Sequence, residues 1–159
     1  MTTRRTGRRA GAAMAEGLRV VVNREGLRAP VASARLAAAV TRVLRADKVK
    51  SAMVSLTLMT PRQMAALNRK HLGHAGATDI ITFGFRDPAG AVIGDVYVCP
   101  DVARANAQAF GVPLREEMLR LAVHGVLHVL GYEHPEGDAR TRSPMWKRQE
   151  RLLRQVLDA

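Results

Sequence analysis

The sequence predicts a single α+β domain, a small mixed sheet of four strands packed with about five helices. Three observations lead there. A chain of 159 residues fits one domain, which hides roughly 70% of the surface its unfolded chain would expose. Hydrophobic residues make up 47% and charged residues 25%, ordinary usage for a globular chain and unlike a disordered or fibrous one. Short β-branched runs alternate with longer runs whose apolar residues recur at helical spacing, and no internal repeat interrupts them.

Met1 to Gly17 is rich in Arg, Gly and Ala and lacks hydrophobic periodicity. Such a segment cannot bury enough to offset the entropy of ordering it, so residues 1–17 are expected to form a disordered basic tail before a folded domain at 18–159. Met14 stands just before the first strand-like run, which raises the expectation that an upstream start has been assigned and that translation begins at Met14. Leu18 to Asn23, LRVVVN, reads as a strand. After Pro30 the positions Val31, Leu36, Val40, Val43 and Leu44 mark a helix. Ser51 to Met59 is strand-like; Thr60 then caps a helix with Pro61 at its first position, ending near Lys70. The glycines of HLGHAGA mark a loop. DIITFGF and AVIGDVYV bracket the turn-forming RDPAG as a hairpin. Asp101 is expected to cap DVARANAQAF, which Gly111 stops; a further helix covers Val112 to Leu130 and ends at Gly131. The last helix runs from about Pro144 to Leu157, with Trp146 and the Arg151-Leu152-Leu153 run packing it rather than marking an interface.

Charge narrows the partner class. The formal net charge is +11, and a field of that sign raises the local concentration of phosphate groups, so a polyanion such as nucleic acid is the first expectation. Arg4, Arg5, Arg8 and Arg9 contribute through the tail alone. No window reaches the eighteen or so apolar residues that span a bilayer, and no apolar signal core follows the basic N-terminus. Neither a membrane nor export is expected. Cys99, the single cysteine, cannot form an internal disulfide and reads as a buried inert thiol in a reducing cytoplasm.

The chemistry is concentrated in HGVLHVLGYEH, residues 124 to 134. His124 and His128 are i,i+4, so on a helix they stack on one face with β-carbons about 5 to 6 Å apart and converge on one ion. Gly131 lets the chain turn out of the helix and return His134 toward the same point. Three neutral imidazoles give one zinc ion a tetrahedral site with one open position, the arrangement of a catalytic site at a helix end. The spacing is shared with the HExxHxxGxxH site of metzincin proteases, but Gly125 stands where those enzymes carry their general-base Glu, so peptide hydrolysis through that base is not supported. Glu133, beside the third histidine, is a candidate base or partner of a ligand, or else a solvated loop carboxylate.

HGVLHVLGYEH resembles the HGxLHLxGYDH signature of the YbeY family of bacterial rRNA maturation factors, with Glu133 in place of Asp. LNRKHLGHAGATDIITFGF, residues 67 to 85, resembles the family segment LNxxYRxxxxPTDVLSFP, and IGDVYVCPDVA resembles LGDIxIxxxxA. The resemblance spans roughly residues 18 to 157. It implies an α+β fold, a zinc ion on His124, His128 and His134, and single-strand-specific endoribonuclease activity. Its implied biology is 16S rRNA 3′-end maturation and ribosome quality control, with single-stranded RNA, rRNA and the small ribosomal subunit as partners. The chain departs from the pattern at Leu72, usually an Arg beside the metal cleft, and at His71 and Ala77, usually Tyr and Pro. Arg69 and Arg86 are nearby cations, each more simply an exposed solubilising charge. Thr78, Asp79 and Asp95 are retained, the two acids either as turn and segment fasteners or as catalytic groups; His74 reads as a solvated loop histidine. Two other classes compete with the nuclease: a ribosome-assembly binding factor with a non-catalytic zinc, and a metal-dependent hydrolase of another substrate.

Overall fold

The computed structural model describes residues 17–73 and 76–159. His74 and the expected tail, except Gly17, therefore lie outside the described residues. The chain runs β1 (Gly17–Asn23), α1 (Ser33–Ala46), β2 (Ser51–Leu58), α2 (Pro61–Leu72), β3 (Ile80–Arg86) and β4 (Val92–Val98). It continues through α3 (Pro100–Phe110), α4 (Leu114–Val129), a 3-10 turn (Gly137–Arg142) and α5 (Pro144–Asp158). The sheet order is β1-β2-β4-β3, with β1/β2 and β2/β4 parallel and the β3/β4 hairpin antiparallel. This is the mixed four-stranded sheet that the sequence predicts.

Local chemistry sets most boundaries. The α1 stripe Leu36, Ala39, Val40, Val43 and Leu44 is wholly buried, the face expected of an amphipathic helix. Thr60 and Gln63 form a reciprocal capping box at 3.2 and 3.0 Å around Pro61. α2 runs to Leu72, past Lys70, because its terminating residue is Gly73, whose left-handed φ of 68° carries no Cβ penalty. The expected cap of α3 is corrected: Cys99 occupies that position and Pro100 the first turn, so Asp101 pairs with Arg104 at 3.2 Å instead. α4 starts at Leu114 rather than Val112 because Pro113 is extended at φ −64°, ψ 145°.

Alternation along the strands divides the core. Ala52, Val54, Leu56, Leu58, Val92, Val96 and Val98 point to one face, where they join α1, α4 and α5 in the main cluster. Ile81 points to the other, where it meets Met64 of α2 and Cys99. Burial pushes the Cys99 thiol above its ordinary pKa, consistent with an inert group.

α4 is buried on nearly every side, between the sheet and helices α1, α3 and α5, which explains its weak amphipathicity. Glycines seat it. A Cβ on Gly84 would lie 2.7 Å from the Val129 carbonyl oxygen, one on Gly94 2.4 Å from Val129 Cγ1, and one on Gly125 2.7 Å from Val96 Cγ1. The last turns of α4, which carry His124 and His128, thereby rest directly on β3 and β4. Arg120 ties the helix to α5, with its guanidinium 3.0 Å from Glu150 and 3.1 Å from Glu117.

Candidate metal centre

His124 and His128 project from one face of α4 with ring centroids 4.5 Å apart. Gly131, at φ 98°, lets the chain reverse, and the His134 ring then lies 5.2 and 4.9 Å from those of His124 and His128. One ring nitrogen from each residue falls within 4.8 Å of the others. The expected convergence of three imidazoles at the end of a helix is therefore present.

The tautomers follow from what holds the opposite nitrogens. His124 Nδ1 donates to Gln149 Oε1 at 2.5 Å, His128 Nδ1 to the Tyr132 carbonyl at 2.9 Å, and His134 Nδ1 to the Pro135 carbonyl at 3.0 Å. Each Nε2 is left with its lone pair. Those of His128 and His134 stand 3.2 Å apart. Two facing lone pairs repel unless a cation or proton lies between them. Nitrogens bound to one tetrahedral zinc at about 2.0 to 2.1 Å stand about 3.4 Å apart, so the donor set fits such an ion.

Burial keeps His124 and His128 neutral. It lowers the His124 pKa to about 4, against the opposing Gln149 hydrogen bond and with further help from the neighbouring positive groups. His128 is also lowered, first by burial and then by His134. Neutral imidazole is the form that binds metal, so these two ligands are ready near pH 7 without first losing protons.

The outer partners were not legible from the histidine spacing. Gln149 is 1% exposed, and its Nε2 donates to Glu150 at 3.1 Å, which orients the amide so that Oε1 faces His124. Its signal is a polar residue in the buried α5 stripe of Met145, Leu152, Leu153 and Val156. Tyr132 is fixed from its other end: its hydroxyl donates to Asp47 at 3.0 Å, Asp47 pairs with Arg148, and that guanidinium lies 5.7 Å from the Tyr132 ring. The carbonyl that orients His128 is thus anchored to α1 and α5. Gln149→Leu keeps the volume but deletes the acceptor, and is expected to weaken zinc affinity about 10- to 100-fold, measured by competition with a chromophoric chelator. Unchanged affinity would remove Gln149 from the site.

Glu133 is exposed, and its charge supports protonation of His128. Gly125 faces the sheet against Val96 and Ile80, so no side chain at that position reaches the imidazoles. Asp79 is mostly buried, with its carboxyl raised by burial against the lowering charge of Arg140 and its hydrogen bonds. It accepts from Asn106 at 3.0 Å and Thr78 at 3.4 Å, a fastener between the start of β3 and α3. Asp95 accepts from Ser55 at 2.7 Å. Its strand position places it on the face opposite Gly94, away from α4, so it does not join the triad.

A model of the family described as Endoribonuclease YbeY matches residues 22–157. The chain belongs to the YbeY family. The Endoribonuclease YbeY of Frankia casuarinae is 37% identical over 147 residues, covering 84% of this chain and 72% of that one. That of Chlorobaculum parvum is 34% identical over 128 residues, covering 79% and 87%. The solution structure of TM1509 from Thermotoga maritima superposes with a TM-score of 0.58 at 25% identity over 89% of each chain. Leu72 is exposed at the end of α2, and His71 meets Phe83 edge-on at 5.5 Å. Arg140 is a cation whose charge acts on His124, His128 and Asp79.

Proposed function

We propose that this chain is a zinc-dependent endoribonuclease that cuts single-stranded RNA in the cytoplasm, acting in 16S rRNA 3′-end maturation and ribosome quality control on the small subunit. The observation that carries the reading is the convergence of three imidazoles, each with its Nδ1 engaged by an acceptor. YbeY family membership points that chemistry toward RNA, and a net charge of +11 favours a polyanionic substrate. Among the described residues no helix is long and apolar enough to cross a membrane.

His124, His128 and His134 would hold the ion. When bound, zinc supplies Lewis acidity toward a phosphodiester and the attacking hydroxyl. The surrounding residues have separate tasks. Gln149 and the Tyr132 carbonyl fix two imidazole planes. Glu133 lies exposed on the loop between His128 and His134, where its carboxylate can take the proton of the attacking hydroxyl, whether from water or from the RNA 2′ position. Glu133→Gln is expected to lower the single-turnover rate about 100-fold with zinc content unchanged; a rate within twofold of wild type would take that role from Glu133.

Cleavage of a single-stranded rRNA fragment tests the whole reading. Chelator-treated protein is expected to be inactive and to recover with one equivalent of zinc, and end-group analysis of the fragments separates water attack from 2′-hydroxyl attack. Cleavage that survives chelation defeats the metal-centred reading. RNA bound but left intact by zinc-loaded protein would favour a ribosome-assembly factor.

A further inference from the structure

Arg140 sits on the 3-10 turn that follows His134. Its carbonyl accepts from the Ser143 hydroxyl at 2.7 Å and the Ser143 N–H at 3.2 Å, while the same hydroxyl accepts from the Trp146 N–H at 3.2 Å to cap α5. The turn is thereby fixed to the start of the helix. The guanidinium lies 5.5 Å from the centre of the Trp146 ring, and one helical turn further along α5 is Gln149, which holds His124. A rigid backbone and an aromatic platform therefore place this cation beside the triad.

Among the described residues the charge has no carboxylate partner. Arg104, Arg120 and Arg148 each pair with a carboxylate. The Arg140 guanidinium makes no ion pair and no hydrogen bond among the described residues, although its charge acts on Asp79, His124 and His128. A cation next to three imidazoles that would hold a second cation is electrostatically unfavourable by itself. An anion bridging the two reverses that cost, and a phosphate matches the planar, bidentate fork of an arginine.

We propose that Arg140 is a phosphate clamp, binding non-bridging oxygens of the RNA phosphodiester presented to the His124–His128–His134 centre. Arginine fixes the phosphate by paired hydrogen bonds and neutralises charge as the phosphorus is attacked. The inference rests on the proposed RNA substrate and deepens it by naming the residue that recognises the backbone.

The test is equilibrium binding of a short 2′-O-methyl single-stranded oligonucleotide to the zinc-loaded full chain, followed by fluorescence anisotropy across a salt series, with RNA cleavage measured in parallel. Arg140→Ala is expected to weaken binding about tenfold and to flatten the plot of log affinity against log salt by about 0.7. Arg140→Lys keeps the slope but loses several-fold in affinity, because an ammonium cannot reproduce the fork. Arg115→Ala controls for net charge: Arg115 is exposed in the first turn of α4, about 13 Å along the axis from His124 at 1.5 Å per residue, and its loss is expected to change affinity less than about twofold. Equal affinity and slope for wild type and Arg140→Ala, or equal weakening by Arg115→Ala, overturns the clamp even if wild-type protein cuts RNA. Binding that depends on Arg140 without any cleavage sustains the clamp and removes the nuclease. Wild-type protein that fails to bind the oligonucleotide overturns both.

Discussion

Replacing His128 with alanine is expected to lower kcat/KM for single-stranded RNA by at least about 10³-fold, equivalent to about 4 kcal/mol of transition-state stabilisation, and to bring zinc content from one ion per chain toward none. His128 sits between the other two ligands in sequence, and its Nε2 stands 3.2 Å from that of His134. Without it the site retains two imidazoles, too few for the three-ligand set of a catalytic zinc. The fold should survive. His128 is only half-buried, and the bond it gives to the Tyr132 carbonyl contributes about 1 kcal/mol. Metal-free wild type and variant should therefore unfold within a few degrees of each other, while added zinc raises the midpoint of the wild type alone, since only a native state that binds ligand is stabilised by it. Metal analysis, thermal unfolding and cleavage on one preparation check all three. A variant that keeps its zinc and its activity would show that the triad is not the catalytic centre.

What could be read ahead of the structure was local. Thr60 and Pro61 mark their helix start by local chemistry, Gly111 and Gly131 mark two stops, and the hairpin turn is flagged by RDPAG. The triad belongs to the same class, because i,i+4 spacing and one glycine suffice to specify it. Contacts between distant segments leave no such trace. The parallel pairing of β2 with β1 and β4 depends on crossovers, and nothing periodic in the sequence announces the order β1-β2-β4-β3. Gln149 is far from His124 along the chain, and the Asp47–Tyr132–Arg148 group joins three separate elements. Arg140 was one arginine among 25 Lys and Arg residues. Only its folded position, over the Trp146 ring and close enough for its charge to act on the triad, sets it apart. Asp101 shows the converse error: its side chain suits a cap, but Pro100 starts the helix and the cap position falls at Cys99, two residues earlier.

The glycines under α4 supply the second large effect, and a substitution there separates the fold from the site. Gly84→Ala is expected to destabilise the protein by about 3 kcal/mol, at the upper end of overpacking costs, and to lower the unfolding midpoint by about 10 °C. Alanine also restricts the unfolded chain, a gain of about 0.4 to 1 kcal/mol, so overpacking decides the sign. The reason lies in the neighbour: the new Cβ would meet the Val129 carbonyl oxygen at 2.7 Å and its Cα at 2.9 Å, backbone atoms that move only if the end of α4 lifts from β3. His128 precedes Val129 by one residue, so the lift also displaces a ligand, and zinc affinity should fall even at temperatures where the variant is folded. Gly94→Ala provides the contrast, because its Cβ would meet the Val129 side chain, Cγ1 at 2.4 Å and Cγ2 at 2.9 Å. Adding Val129→Ala removes that obstacle and should recover much of the stability lost in Gly94→Ala, whereas it leaves the Val129 backbone in place and should recover little in Gly84→Ala. A double-mutant cycle on unfolding free energies reads the difference. Equal rescue at both positions would mean that side-chain volume, rather than contact of the β3 backbone with the backbone of α4, sets how closely the ligand-bearing helix is seated.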